Sequence, residues 1–589
     1  MGILEAMKER NPDIQVIGVE PYPGHKVQGL KNMKESYVPG IFDRHALDRI
    51  VPVKDEEAFE MARRLAREEG IFVGMSSGAA MAAAVQIAAE SSEGIIVTIL
   101  PDGGDRYLST NLFTTLLEPD FRFYNLLDRK KVDFKPVQEG KIRLLVTGPP
   151  LDQLLTLQES RRFVLTDLLT RFLLSKGFSV HQVMLVPDLD SRTIQGALAA
   201  NMELAAYTQK QVDQFLTDLD TLRVQRAYRY PRSSEHVDTI ADLTRSLMEK
   251  GLAYDKLRSV YFDLSKSKDY GALSRVNLKK IRLGSTVDLD AYEKLNPRDF
   301  ALLKRATLAE LKRGMCMKTD WGNVLPTWHI ASVAVALHDL GAPIDIQVSS
   351  VDFLFPHLEN VKEIGESLTG KSFANVWMVT ERMWSNKDEK VQNGIDETLS
   401  LRELTARGVT PLEIRYWLLS THYRKPIHAN EENLENAVRG YHRLKEFIRR
   451  VRHAQSGVEE HKLISEMVYA LEHNFSDALA DDLNLPNALA GIFSFIRQMN
   501  PILDQSLFTE PQRKQILDVF QNLNVILGVL DEDLKPLGEE EKKLMLEREA
   551  ARKERNWAKA DALREELLER GIQILDTPTG TQWERMERK

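Results

Sequence analysis

What this chain has little of sets its first limits. A single cysteine, Cys316, among 589 residues cannot close an intramolecular disulfide, and it cannot alone build a cysteine-rich zinc cage. The cytoplasm is therefore the natural compartment. No apolar run reaches the ~18 to 20 residues that a membrane span needs. The opening MGILEAMKERNPDIQVIGVE carries charge too early for a signal peptide, so no membrane partner is expected. Neither sign of charge dominates: 79 Lys+Arg against 87 Asp+Glu leave a net charge of -8. That balance argues against indiscriminate nucleic-acid binding and against DNA as a partner, while leaving room for a local basic track. No fixed-period repeat is visible. What remains is 43% hydrophobic and 28% charged, the balance of a globular protein with about three to five domains of roughly 100 to 200 residues each.

Residues 1–118 alternate β-rich runs with helical stretches. IQVIGVEP and GIIVTILPDGG read as buried parallel strands, and DEEAFEMARRLAREEG and SGAAMAAAVQIAAE as helices, the first with Asp55 as its N-cap. A mixed polar stretch over 119–140 reads as a linker. At KIRLLVTGPP a strand enters a Gly-Pro turn, then the helix RRFVLTDLLTRFLLSKGF and the strand SVHQVMLVPD. This is the opening of a nucleotide-binding α/β domain, whose ligands sit beyond the carboxyl ends of the strands. The pattern predicts this domain over 141–405, with an insert at about 233–300, and an almost wholly helical region over 406–589.

Several strings along this second part resemble one family: SVYFDLSKSKDYGALS, NPRDFALLK, PTWHI, FLFPHLEN, IRYWLLSTHYRKPI, FSDALADDLNLPNAL and ARKERNWAKADALREELLERGIQILDTPTGTQWER. Residues 141–589 resemble cysteinyl-tRNA synthetase, a class I aminoacyl-tRNA synthetase. The resemblance implies a Rossmann-type catalytic domain with an insertion and a helical DALR-type region that holds tRNA. The implied reaction activates L-cysteine with ATP and passes it to tRNA.

The family's chemical positions are altered. Class I synthetases place an H-I-G-H-type tetrapeptide after the first strand to hold ATP phosphates. The register from GPP puts TLQE there, Thr156 to Glu159, without an imidazole or a permissive glycine and with a carboxylate facing a polyphosphate. The K-M-S-K-S signature corresponds to TERMWSNKDEK, in which Arg382 and Met383 take the first two places and Lys387 comes one position late. ATP is implied by the family but placed in doubt by these changes. The family's zinc ligands, two Cys, one His and one Glu, correspond to Thr147, Ser332, His357 and Val361. Only the histidine survives, so zinc is not expected. Trp328, His329, Asp352 and His357 persist as the substrate-pocket positions, and Asp188 and Asp190 remain from the family's acidic strip. Each also has a plain structural reading: packing at a strand-to-helix join for Trp328 and His329, hydrogen bonding for His357, and capping or turn formation for the two aspartates.

Basic residues cluster on YHRLKEFIRRVRH (Arg443, Lys445, Arg449, Arg450, Arg452) and on ARKERNWAKADALREELLER (Arg552, Lys553, Arg555, Lys559). Such faces neutralise RNA phosphates or are simply solvated. The resemblance favours tRNA.

GVEPYPGHKVQGLKN, EEGIFVGMSSGAAMAAA and LPDGGDRYLST resemble the C-terminal portion of cysteine synthase, a fold-type II pyridoxal-phosphate enzyme. The resemblance gives Ser76 the role of hydrogen-bonding the cofactor's ring nitrogen, with a helix N-cap as its structural reading. The Schiff-base lysine and the phosphate loop of that family precede the matching residues, so pyridoxal phosphate and cysteine synthase activity are not expected here, and a longer fusion or a gene remnant is. The sequence as a whole predicts a cysteinyl-tRNA synthetase-like protein with weak or lost adenylation. The alternatives are an active ligase with divergent motifs and a non-catalytic tRNA-binding or cysteine-sensing scaffold.

Overall fold

The computed structural model describes residues 2–91, 93–107, 112, 121–276, 294, 296, 298–384, 398–530, 538–554, 556–577 and 580–585. The chain forms two compact units, residues 1–119 with 462–470 and residues 120–461 with 471–589.

In the first unit the strands Ile17–Pro21 and Arg49–Val53 pair in parallel, beside the helices Asp55–Glu68 and Met75–Glu90. These helices pack tightly because Gly78 has no Cβ: one built there would meet the Ala58 carbonyl oxygen at 2.0 Å. Asp55 is not the N-cap expected of it. Lys54 holds that position, and Asp55, in the first turn, accepts from Lys26 N at 2.6 Å. The run GIIVTIL is not a buried strand either. Ile95 is 94% and Val97 85% exposed. Its β-branched residues suit a parallel sheet, but the unit's sheet, among the described residues, stops at two strands and offers the run no ladder.

The second unit is built on a four-stranded parallel sheet. Lys141–Val146 lies beside Ser179–Met184 on one flank and Ile344–Ser350 on the other, and Ala374–Thr380 completes the edge. The near-continuous burial of these strands follows from helices covering the sheet. The helix Leu157–Ser175 is one of them, and it is buried along most of its length. A five-stranded antiparallel sheet drawn from 253–326, which reaches beyond the expected insert at about 233–300, has the order Met317–Thr319, Gly322–Pro326, Phe300–Arg305, Ser259–Phe262, Ala253–Lys256.

The stretch read as a linker contains a hairpin, Arg122–Asn125 with Lys130–Asp133. The alternation of Phe121 and Phe123, both buried, with exposed Arg122 is what makes it a strand. Further on come the helices Pro411–Ser420, Glu431–His453, Leu485–Asp504 and Glu510–Leu527. The rings of Phe447, Phe495 and Phe520 meet between three of them. After these helices comes an antiparallel hairpin, Ile572–Thr577 with Gly580–Arg585, within the region expected to be almost wholly helical. Among the described residues no helix is long and apolar enough to cross a membrane.

Candidate active site at the sheet switch point

Strand order reverses between Lys141–Val146 and Ile344–Ser350, whose neighbours run outward in opposite directions. In an open parallel sheet the ligand crevice lies at that point, beyond the carboxyl ends. Thr147–Gly148 and Ser349–Ser350 flank it. Here the crevice is occupied by protein: Arg162, fully buried, donates to Gly148 O at 3.2 Å and to Ser350 Oγ at 3.4 Å. Its guanidinium also lies over the Phe163 and Phe353 rings. Burial pushes its pKa down to about 10, with the nearby Glu159 and Asp352 carboxylates offsetting only part of the shift.

TLQE forms the start of the helix Leu157–Ser175 and closes it. Thr156 is the N-cap, its Oγ1 accepting from Glu159 N at 3.3 Å. Glu159 Oε2 in turn accepts from Thr156 N at 3.2 Å and from Thr156 Oγ1 at 3.1 Å. This reciprocal box satisfies donors that a helix N-terminus otherwise offers an anion. Leu157 N donates outside the helix to Leu399 O at 2.9 Å. The Glu159 carboxylate is thus folded back on its own helix.

The neighbouring Gln158 reaches across the site. Its Nε2 donates to Asp352 Oδ2 at 2.8 Å and its Oε1 accepts from Met383 N at 2.6 Å. Asp352 Oδ1 is held by Arg382 Nε at 2.9 Å, so both carboxylate oxygens are engaged by the two altered ATP segments. Beneath them Arg161, also buried, donates to the carbonyls of Glu381, Arg382, His422 and Lys425. Lys387 lies outside the described residues.

The four positions that match the family's zinc ligands do not supply a donor set. Thr147 Oγ1 donates to Ser349 Oγ at 2.9 Å. Ser332 is buried within the helix Trp328–Asp339, and Val361 is a core residue with no coordinating atom. His357 Nδ1 instead meets His329 Nε2 at 2.9 Å. Asn360 Nδ2 also approaches His329 Nε2, at 3.4 Å, and Tyr270 donates its hydroxyl proton to Asn360 Oδ1. Burial, then the neighbouring imidazole, holds His329 well below its usual pKa. Burial, then Arg192, lowers that of His357. Both rings are neutral near pH 7. They form one wall of a cavity of about 360 Å³ that also takes in Trp328, Phe300, Lys304 and Arg192. Trp328 and His329 open the helix that follows the strand Gly322–Pro326, at the strand-to-helix join where their packing reading put them.

Asp190 caps the helix Ser191–Ala199, accepting from Arg192 N at 2.9 Å, and Asp188 accepts from the backbone and hydroxyl of Ser234. Asp190 is thus a helix cap, whereas Asp188 ties to Ser234, 46 residues on in the chain, and burial raises the pKa of each. Cys316 packs with Ile194, Met315 and Leu325, and burial raises its thiol pKa. In the first unit Ser76 is not the N-cap of its helix, a place taken by Gly74. Its hydroxyl and that of Ser77 donate to Asp102 Oδ1 at 2.9 and 2.7 Å.

On the helix Glu431–His453 the basic side chains have partners within the protein. Arg449 pairs with Glu446, Arg450 with Asp504 and Asn500, and Arg443 lies over Phe493.

Arg162 is the residue that sequence reasoning missed, and Gln158, named only as part of TLQE, has a reach to Asp352 and Met383 that it did not foresee. A signal was present for the first: an arginine in the densely apolar RRFVLTDLL with no acidic residue four positions to its C-terminal side.

Comparison with known families agrees with this geometry. Residues 133–439 match the class I (C) tRNA synthetase catalytic domain, 474–531 the DALR domain, 535–583 the cysteinyl-tRNA ligase anticodon binding domain and 1–102 the pyridoxal-phosphate dependent enzymes. The parallel sheet and its switch-point crevice are thus a class I synthetase catalytic domain. More narrowly, the chain belongs to the cysteine–tRNA ligase family. It is 36% identical over 463 residues to the Cysteine–tRNA ligase of Methanosarcina acetivorans, covering 78% of this chain and 97% of that one. It is 33% identical over 465 residues to that of Protochlamydia amoebophila, with the same coverage. The N-terminal part is similar to a solved O-ureido-L-serine synthase, at 37% identity over 20% of this chain and 40% of that chain, with a TM-score of 0.19.

Proposed function

We propose that this chain is a cysteine–tRNA ligase homologue that retains tRNA binding but has weak or no capacity to form cysteinyl-adenylate. The observation that carries this reading is the crevice itself. Arg162 fills it, Glu159 and Leu399 take up helix N-terminal groups that would face phosphate, and Gln158 ties Asp352 to Met383. Each lost charge-stabilising donor costs on the order of 10²- to 10³-fold in rate. ATP binding is correspondingly weakened, and L-cysteine enters only as a ligand of the residual pocket. Zinc is not held at the family's position, because hydroxyls and a valine do not replace thiolates and a carboxylate.

The DALR and anticodon-binding segments support tRNA as the partner. A cytoplasmic location follows from that partner. The Ser76 hydroxyl is engaged with Asp102 Oδ1 at 2.9 Å, which weighs against its serving a pyridoxal-phosphate ring nitrogen. Cysteine-dependent ATP–pyrophosphate exchange tests the adenylation half of the proposal. Binding of tRNA against random RNA of equal length at fixed salt tests the other.

A further inference from the structure

The helix Trp328–Asp339 presents Trp328 and His329 at one end and His338 and Asp339 at the other. At that second end His236, which precedes the helix Val237–Glu249, approaches from the insert side. One potential ligand atom from each of His236, His338 and Asp339 lies within 4.8 Å of the others, and the two imidazoles meet edge to face at 4.9 Å between centroids.

Two of these groups are buried with an atom that lacks a hydrogen-bond partner. His236 is 4% exposed and its Nε2 is orphaned, and the Asp339 side chain is 2% exposed with Oδ2 orphaned. Buried polar atoms in native proteins are nearly always satisfied, so an orphan on each of two residues whose potential ligand atoms lie together calls for a third component. Asp339 Oδ1 is already used: it meets Arg229 at 2.8 Å and His338 Nδ1 at 2.7 Å. His338 is half exposed, which gives an ion a way in. The location suits a cation, because His338 and Asp339 sit at the negative end of their helix.

We infer that His236, His338 and Asp339 form a binding site for one divalent transition-metal ion, unrelated to the zinc position of the family. Two imidazoles and one carboxylate are a borderline donor set that suits Zn²⁺, and three protein ligands leave a fourth position for water. The site is structural. It ties the start of the Val237–Glu249 helix to the end of the helix that carries Trp328 and His329. Arg229 competes with the ion for Asp339.

The test is Zn²⁺ titration of the purified full chain, previously stripped with chelator, with Co²⁺ absorption as a report on ligand type. One tightly bound Zn²⁺ per chain is expected, with a thermal midpoint that rises on loading. His338→Ala, at an exposed position that should fold, weakens binding by at least the ~10-fold typical of losing even an outer partner. Asp339→Asn does the same, Arg229→Met tightens binding, and His357→Ala leaves the tight site intact. Absence of a tight site in the parent protein overturns the proposal. So does undiminished affinity in His338→Ala, or loss of the ion in His357→Ala.

Discussion

Gln158 and Asp352, 194 residues apart in sequence, are joined by a 2.8 Å hydrogen bond across the mouth of the switch-point crevice. The same glutamine side chain accepts from Met383 N. In the register read from GPP it falls at the glycine of the H-I-G-H-type tetrapeptide, so the two segments read as altered ATP signatures are fastened to each other. Replacing Gln158 by Gly and Glu159 by His together should restore part of the ATP site. The expected outcome is an ATP affinity, by calorimetry, at least about 10-fold above the parent's, within the worth of one recovered donor. No gain in the folded double variant would mean that these side chains do not block the nucleotide.

Two fully buried arginines should respond unequally to removal. Arg415 pairs with Asp167, both fully buried, and donates to Leu527 O and Leu222 O. Arg415→Ala leaves the Asp167 charge with less compensation and should cost about 3–5 kcal/mol in denaturant unfolding. Arg162 makes no ion pair among the described residues and is only partly compensated by the nearby Glu159 and Asp352, so Arg162→Met exchanges a desolvated charge for an apolar side chain and should change stability by less than about 1 kcal/mol. Equal losses in the two variants would contradict this assignment.

The imidazole pair predicts a pH dependence. His329 and His357 both have pKa values lowered by burial in the folded state, so the unfolded chain binds more protons below pH ~6.5. Their contribution to stability is present above that value and is lost as pH falls through the lower folded-state values, by up to about 1.4 kcal/mol per pH unit for each ring. His357→Gln should flatten the slope of unfolding free energy below pH ~6.5. An unchanged slope would show that the pair does not titrate below the ordinary histidine range.

The basic helix should matter less for RNA than its composition suggests. Arg449 and Arg450 are paired with Glu446 and Asp504. The double change to Ala should shift the log Kd against log salt slope for tRNA by well under the ~1.8 expected of two lost phosphate contacts. A shift of that full size would place both guanidinium groups on the RNA backbone.

The sequence carried the sheet of the second unit well, because KIRLLV, SVHQVM, IDIQVSS and NVWMVT each carry a buried stretch rich in apolar or β-branched residues. The same rule misled at GIIVTIL, where the composition of a buried strand has, among the described residues, no strand beside it. It also hid the hairpin around Phe121 and Phe123, whose polar turn reads as a linker. At the site, the altered residues could be named from register alone. What they do instead could not: that Glu159 turns back on Thr156, that Gln158 spans to Asp352, and that Arg162 occupies the crevice depend on how the folded backbone brings these groups together, the last two between residues far apart in the chain.

The most direct test of lost adenylation is cysteine-dependent ATP–pyrophosphate exchange by the purified full-length chain, measured beside an active cysteine–tRNA ligase at equal concentration. Exchange at or near background is expected, at least the ~10²-fold below the active enzyme that one lost donor implies, while tRNA is still bound in preference to random RNA. Exchange approaching that of the active enzyme would contradict it.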